Sequence, residues 1–338
     1  MKYFLITMTF ILCFLISGVN ATESEKILIQ NATVITATDS QILENTDVLI
    51  DGGLIVAIGS NLVANDAIQI DALNQIITPG LIAPHSQIGL MEIQLERATR
   101  DDSTQHFSAG FSIVNAFNPS STLIPYNRSG GITSAVVIPS SAKAIYSGLA
   151  SVFKLDGELD SDVISKDIAM AISFGAGSDS RASQILMLED TFNKALRFND
   201  SREQYRLLAD FDYDDHTIRD LEAILRVLNK EMPLIVRSNR AKDLLSMISV
   251  AKQYGVNIIF HGAKEAWRIA EILAEEDIPV ILDPMDNIPG SFDAIAARMD
   301  NAHLLNKAGV KILITSQNTH NSYLSRQGAG NAVTHGLP

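Results

Sequence analysis

Between Pro233 and Ile314 short apolar runs alternate with amphipathic stretches, and this alternation limits what the chain can fold into more than any other feature. Pro233–Val236, Val256–Phe260, Ile278–Leu282 and Val310–Ile314 read as strands apolar on both faces. Between them Ala241–Tyr254, Lys264–Glu276 and Phe292–Lys307 read as helices, the first stopped by Gly255 and the last by Gly309. Strands of that kind, recurring after helices, predict a parallel sheet wrapped by helices. The fold class is therefore α/β, and several units in a row favour a (β/α)8 TIM-like barrel over an open sheet. Further toward the N-terminus, Ile132–Ile138 and Ala169–Phe174 read as strands, and Ala182–Phe198 and His216–Asn229 as helices. The stretch from Arg97 to Arg128 is polar and weakly periodic, and predicts a long ordered loop of the kind that carries function.

The first quarter of the chain has a different texture. Ile27–Ile29, Thr33–Ala37, Asp47–Ile50 and Leu54–Ile58 are short β-prone runs, and Asp51-Gly52-Gly53 reads as a tight hairpin turn. Residues 22–78 are expected to form a small β module, and residues 79–338 the barrel domain. Before them, Lys2, the apolar run Tyr3–Ile16 and the small residues Val19 and Ala21 read as a secretory signal spanning residues 1–21. A periplasmic protein, free of the membrane after cleavage, is the expectation. The single cysteine, Cys13, lies in that segment, which removes disulfide scaffolds and cysteine zinc clusters from consideration. With 26 basic against 39 acidic residues, a formal charge of −13 also argues against binding nucleic acid. A small-molecule substrate or ligand is the expected partner.

The β module followed by Ile77-Thr78-Pro79-Gly80-Leu81-Ile82-Ala83-Pro84-His85 resembles the amidohydrolase superfamily. So do Asn127-Arg128-Ser129-Gly130-Gly131-Ile132-Thr133, Val236-Arg237-Ser238-Asn239-Arg240-Ala241, Phe260-His261-Gly262-Ala263-Lys264-Glu265-Ala266-Trp267 and Leu313-Ile314-Thr315-Ser316-Gln317-Asn318-Thr319-His320-Asn321. The last three are similar to strand ends of the imidazolonepropionase-like branch. The resemblance implies an exported hydrolase that cleaves a C–N bond, in a cyclic amide or another non-peptide substrate, with a metal-activated water. It also implies that the module of residues 22–78 is a small β-sandwich, and that metal ligands stand at the C-terminal ends of barrel strands. The family's first-strand histidine pair becomes His85-Ser86-Gln87 here, and the sixth-strand histidine is His261. The fifth-strand histidine is replaced by Arg237, and the eighth-strand aspartate by Ser316 or Asn318.

Two imidazoles thus remain of the ligand set. Hydrolysis would use at most one divalent metal, zinc foremost, held by His85 and His261 with Gln87 or His320 as further ligands. Asp101 and Asp102, paired acids in the polar loop, are the candidates for acid–base work, although acids so placed are more often solvated. The alternative is a catalytically inactive barrel, without metal, that binds a small carboxylate ligand through Arg237. Asn239, Arg240, Ser316 and Asn318 would assist at the barrel mouth. Asp283 stands as the local acid with which Arg237 would otherwise pair. His106, His216, His303 and His335 are expected in surface or packing roles. Family members run on past Gly330-Asn331-Ala332-Val333, so an uncovered sheet edge in the β module, and a homodimer that covers it, are further expectations.

Overall fold

The computed structural model describes residues 26–38, 42–142, 144–160, 163–175, 177, 179–203, 216–316 and 319–338. The signal read at residues 1–21, and Asn318, lie outside the described residues. The chain divides into two units, one ending at Pro79 and one beginning at Gly80.

In the first unit β1 (Ile27–Ile35), β2 (Ile42–Asp51), β3 (Leu54–Gly59), β4 (Ile68–Asp71) and β5 (Ile76–Ile77) make one sheet. Its order is β3-β2-β1-β4, with β5 also on β1. The expected hairpin turn is present between β2 and β3. Gly52 and Gly53 have φ of 62° and 73°, the left-handed pair that a two-residue turn requires. Ala32, Val34, Val48 and Ala72 form a buried cluster on the sheet. A second sandwich layer was expected, yet β3 and β4 keep Leu54, Ile55, Ile58, Ile68 and Ile70 exposed. Among the described residues the module is a single layer.

The second unit holds an eight-stranded sheet, β6 (Leu81–Ser86), β7 (Ile132–Val137), β8 (Tyr146–Lys154), β9 (Val163–Ser173), β10 (Leu234–Ser238), β11 (Ile258–Gly262), β12 (Val280–Leu282) and β13 (Ile312–Ile314), in sequence order across the sheet. Seven strands run the same way, but β8 is antiparallel to both β7 and β9. This departs from an all-parallel (β/α)8 barrel, and the reason is length. Residues 138–145 and 155–162 are shorter than the roughly dozen residues that a parallel crossover needs, so the chain reverses.

Between the outer strands, β6 and β13, side chains reach across. The Thr315 hydroxyl donates to the His85 carbonyl at 3.2 Å, and the Thr319 hydroxyl donates to the Gln87 amide oxygen at 2.8 Å. The sheet is a nearly closed barrel.

Helices α1 (Leu123–Ser129), α2 (Arg181–Asp200), α3 (Ile218–Leu228), α4 (Ala241–Tyr254), α5 (Ala270–Glu275), α6 (Asn301–Ala308) and α7 (Ser325–Thr334) belong to the same unit. Local chemistry sets their ends. Thr217 and Asp220 form a capping box at α3, and Gly255 and Gly309 close α4 and α6 in left-handed conformation. Two expected helices are shorter than read from the sequence. Lys264–Glu276 becomes a 3-10 turn (Ala266–Ile269) followed by α5, and Phe292–Lys307 becomes a 3-10 turn (Phe292–Ala294) followed, after a break, by α6. In the break, side chains take up the backbone groups that a helix would pair. Buried Glu265 accepts from the Ala296 N–H at 2.9 Å, and the Trp267 indole donates to the Ala296 carbonyl at 2.8 Å.

The alternation along β10 aims the site. Leu234 and Val236 join Met170, Phe192, Leu244, Phe260 and Val280 in the core shared with the helices. Ile235 turns the other way, into a small cluster with Ile138, Ala150, Ala169 and Ala171. Arg237, two residues on from Ile235, shares its face.

Candidate active site

His85, Arg237 and His261 arrive from three strands and line one cavity of about 660 Å³. Arg237 and His261 are register partners on the parallel pair β10–β11, so their side chains emerge side by side. His85 comes from β6, where the register with β7 shifts between Ala83 and Ser86, around Pro84. Proline offers no N–H to a ladder, and the resulting irregularity re-aims the residue after it. The His85 and His261 rings stack with centroids 3.9 Å apart and an interplanar angle of 22°.

Electrostatics keep both rings neutral at pH 7. Burial first, and the Arg237 charge second, push the His85 imidazole down to about 4. Burial, then His85 and Arg237, hold His261 well below the ordinary histidine range. His261 is 3% exposed, and its Nε2 has no hydrogen-bond partner. The Arg237 residue is exposed, and among the described residues its guanidinium makes no hydrogen bond or ion pair. Asp283 lines the same cavity and accepts from the Met285 N–H at 2.9 Å, so the Arg237–Asp283 pair considered from the sequence is not formed.

The remaining candidates divide. Gln87 and Ser316 line the cavity, as does Asp102. Asp102 is no solvated loop acid: it is fully buried, and Arg100 holds both its oxygens at 3.0 and 2.8 Å. Burial raises its pKa, but hydrogen bonds from Arg100 and Ser140 prevail and leave it lowered. Asp101 is exposed and does not line the cavity. Nor do Asn239 and Arg240. Asn239 packs its amide oxygen where a Cβ on Gly262 would sit 2.6 Å away, and Arg240 is the exposed residue before α4. His320 also lies off the cavity, its Nε2 bonded to the Glu92 carbonyl at 2.6 Å.

Arg100 was missed in the sequence. Its signal is local: residues 100 and 102 of an extended segment share a side, so the pair can close on itself without help from the fold.

These residues do not fit a zinc centre. Among the described residues no three His, Cys, Asp or Glu side chains converge as a metal site. Gln87 is committed at both ends of its amide, to Thr319 and to the Ile138 carbonyl. An imidazole binds a metal in its ring plane, whereas these two rings lie nearly parallel, with a guanidinium beside them.

The cavity lies at the C-terminal ends of the barrel strands, and Thr78-Pro79-Gly80 leads into the first of them. An amidohydrolase from Thermotoga maritima MSB8 superposes with a TM-score of 0.79 over 92% of this chain and 84% of its own, at 26% identity. A prolidase complexed with N-methylphosphonate-L-proline matches with a TM-score of 0.51 at 14% identity, over 92% of this chain and 84% of its own. No family model and no curated protein matches the chain.

Proposed function

We propose that this protein is a hydrolase of the amidohydrolase kind, acting on a C–N bond of a small molecule bound at the barrel mouth. One observation carries the reading. The solved structure that it matches over 92% of its length at 26% identity is an amidohydrolase. The cavity agrees with it, since strand ends deliver polar groups there around apolar walls that include Ile138, Ile235 and Met91. Export through residues 1–21 and kinship with the imidazolonepropionase-like branch belong to the same proposal.

The chain's own residues can do part of the chemistry. Neutral His85 and His261 are able to accept or pass a proton, and Arg237 can oppose the negative charge that develops on a carbonyl oxygen under attack. Asp102, the sequence's candidate base that does line the cavity, is fastened to Arg100 and held below the usual carboxylate range. That observation favours a second reading, in which the barrel binds its ligand without turning it over. The deciding experiment incubates the purified full chain with N-acyl amino acids, dipeptides and cyclic amides, with and without added zinc, and measures the amine released. Release that disappears in His261→Gln supports the hydrolase. No release from any substrate under either condition leaves the binding reading.

A further inference from the structure

We propose that Arg237 and His261 form a receptor for the carboxylate group of a small ligand, at the position where the resemblance places a metal ligand. The inference rests on the barrel mouth being the functional site, but it does not require turnover. Three observations support it. The Arg237 guanidinium has neither hydrogen bond nor ion pair among the described residues, although it lines a cavity of about 660 Å³. Beside it, register-paired on the next strand, His261 lines the same cavity, is 97% buried and has an Nε2 without a hydrogen-bond partner. A buried polar atom without a partner is costly, and an oxygen ligand would satisfy it. Two acids of the cavity wall already have cations on them, Asp102 with Arg100 and Asp286 with Lys264, each at 2.8 Å.

The two groups are complementary. A guanidinium presents a planar fork that matches the two oxygens of a carboxylate. With its proton on Nε2, His261 can add a third donor. Ile138 and Ile235, on the neighbouring walls, suit an apolar remainder. N-acylated amino acids have that chemistry: a carboxylate, an amide and an aliphatic side chain.

The test is calorimetric titration of the full chain with acetate, N-acetyl-L-leucine and N-acetyl-L-leucinamide. The acid is expected to bind at least about tenfold more tightly than its amide, with acetate competing for its site. In Arg237→Gln the acid-to-amide ratio should collapse toward one, while Arg237→Lys retains part of it. His261→Phe should weaken the acid several-fold. Circular dichroism and the melting temperature of each variant report folding, and the exposed Arg237 pair guards against a misfolded His261 variant. Equal binding of acid and amide by the parent, an unchanged ratio in Arg237→Gln, or no saturable binding of either acid would each overturn the proposal. Carboxylate binding without amine release would sink the hydrolase reading alone, whereas amine release with an unchanged ratio in Arg237→Gln would sink this one alone.

Discussion

His85 and His261 lie ring against ring with a permanent cation beside them, which governs how the folded chain meets acid. In the unfolded chain each imidazole takes a proton as pH falls through about 6.5. In the folded chain His85 resists down to about 4, and His261 is likewise depressed. Between those values the unfolded state binds more protons, so stability is lost as pH falls from about 6.5 toward 4. His85 alone contributes up to about 3 kcal/mol of that loss. Urea midpoints across this range should fall steeply for the parent and less steeply for His85→Gln; parallel slopes would refute the assignment. A second prediction concerns Asp102, whose removal by Asp102→Ala leaves Arg100 without its partner at the cavity wall. A loss of about 3 kcal/mol is expected in chemical denaturation, and an unchanged midpoint would show the pair to be dispensable. Of these residues the histidines were legible because they fall in short motifs after apolar runs. The burial of Asp102 was not: the i, i+2 spacing of Arg100 and Asp102 hints at their pairing, but nothing in a weakly periodic loop signals that a carboxylate will be enclosed.

At the scale of elements, the helices with ends set by local chemistry were the readable ones. Helix α4 coincides with the stretch Ala241–Tyr254 read from its periodicity and Gly255. The two helices that came out short are those whose backbone is engaged by side chains distant in sequence, which no local pattern encodes. Glu265 is the centre of that arrangement. One carboxylate oxygen accepts from the Ala241 N–H at the start of α4 at 3.1 Å, and the other accepts from the Ala296 N–H at 2.9 Å. Glu265→Ala would leave two N–H groups without partners and remove a negative charge from a helix N-terminus, at a cost of about 2–4 kcal/mol. Amide hydrogen exchange should rise at the start of α4 and across residues 295–300. Protection unchanged at both places would mean that water replaces the carboxylate without penalty.

For the whole molecule, the question is what holds an eight-stranded sheet in a nearly closed curl. The α/β class and six of the eight strands followed from the alternation of apolar and amphipathic stretches. The reversed β8 did not, because its direction depends on the length of two connections rather than on any periodicity. Between β6 and β13 the work falls to side chains, foremost Thr319. Its hydroxyl donates to the Gln87 amide oxygen at 2.8 Å and accepts from the Gln87 N–H at 3.3 Å, and both residues are buried. Valine has nearly the shape of threonine but neither donates nor accepts. Thr319→Val should therefore cost about 1–3 kcal/mol, the range for leaving a buried amide unsatisfied. If the two ends of the sheet are held through this contact, hydrogen exchange should quicken in β6 and β13 together while β10 and β11 keep their protection. A uniform rise across all strands would instead mean that the variant lowers global stability without loosening the seam. Because His85 stands beside that seam and its carbonyl accepts from the Thr315 hydroxyl, a loosened seam should also disturb the imidazole stack. The ring resonances of His85 and His261 in Thr319→Val then provide an independent check, and unshifted resonances would uncouple the seam from the site.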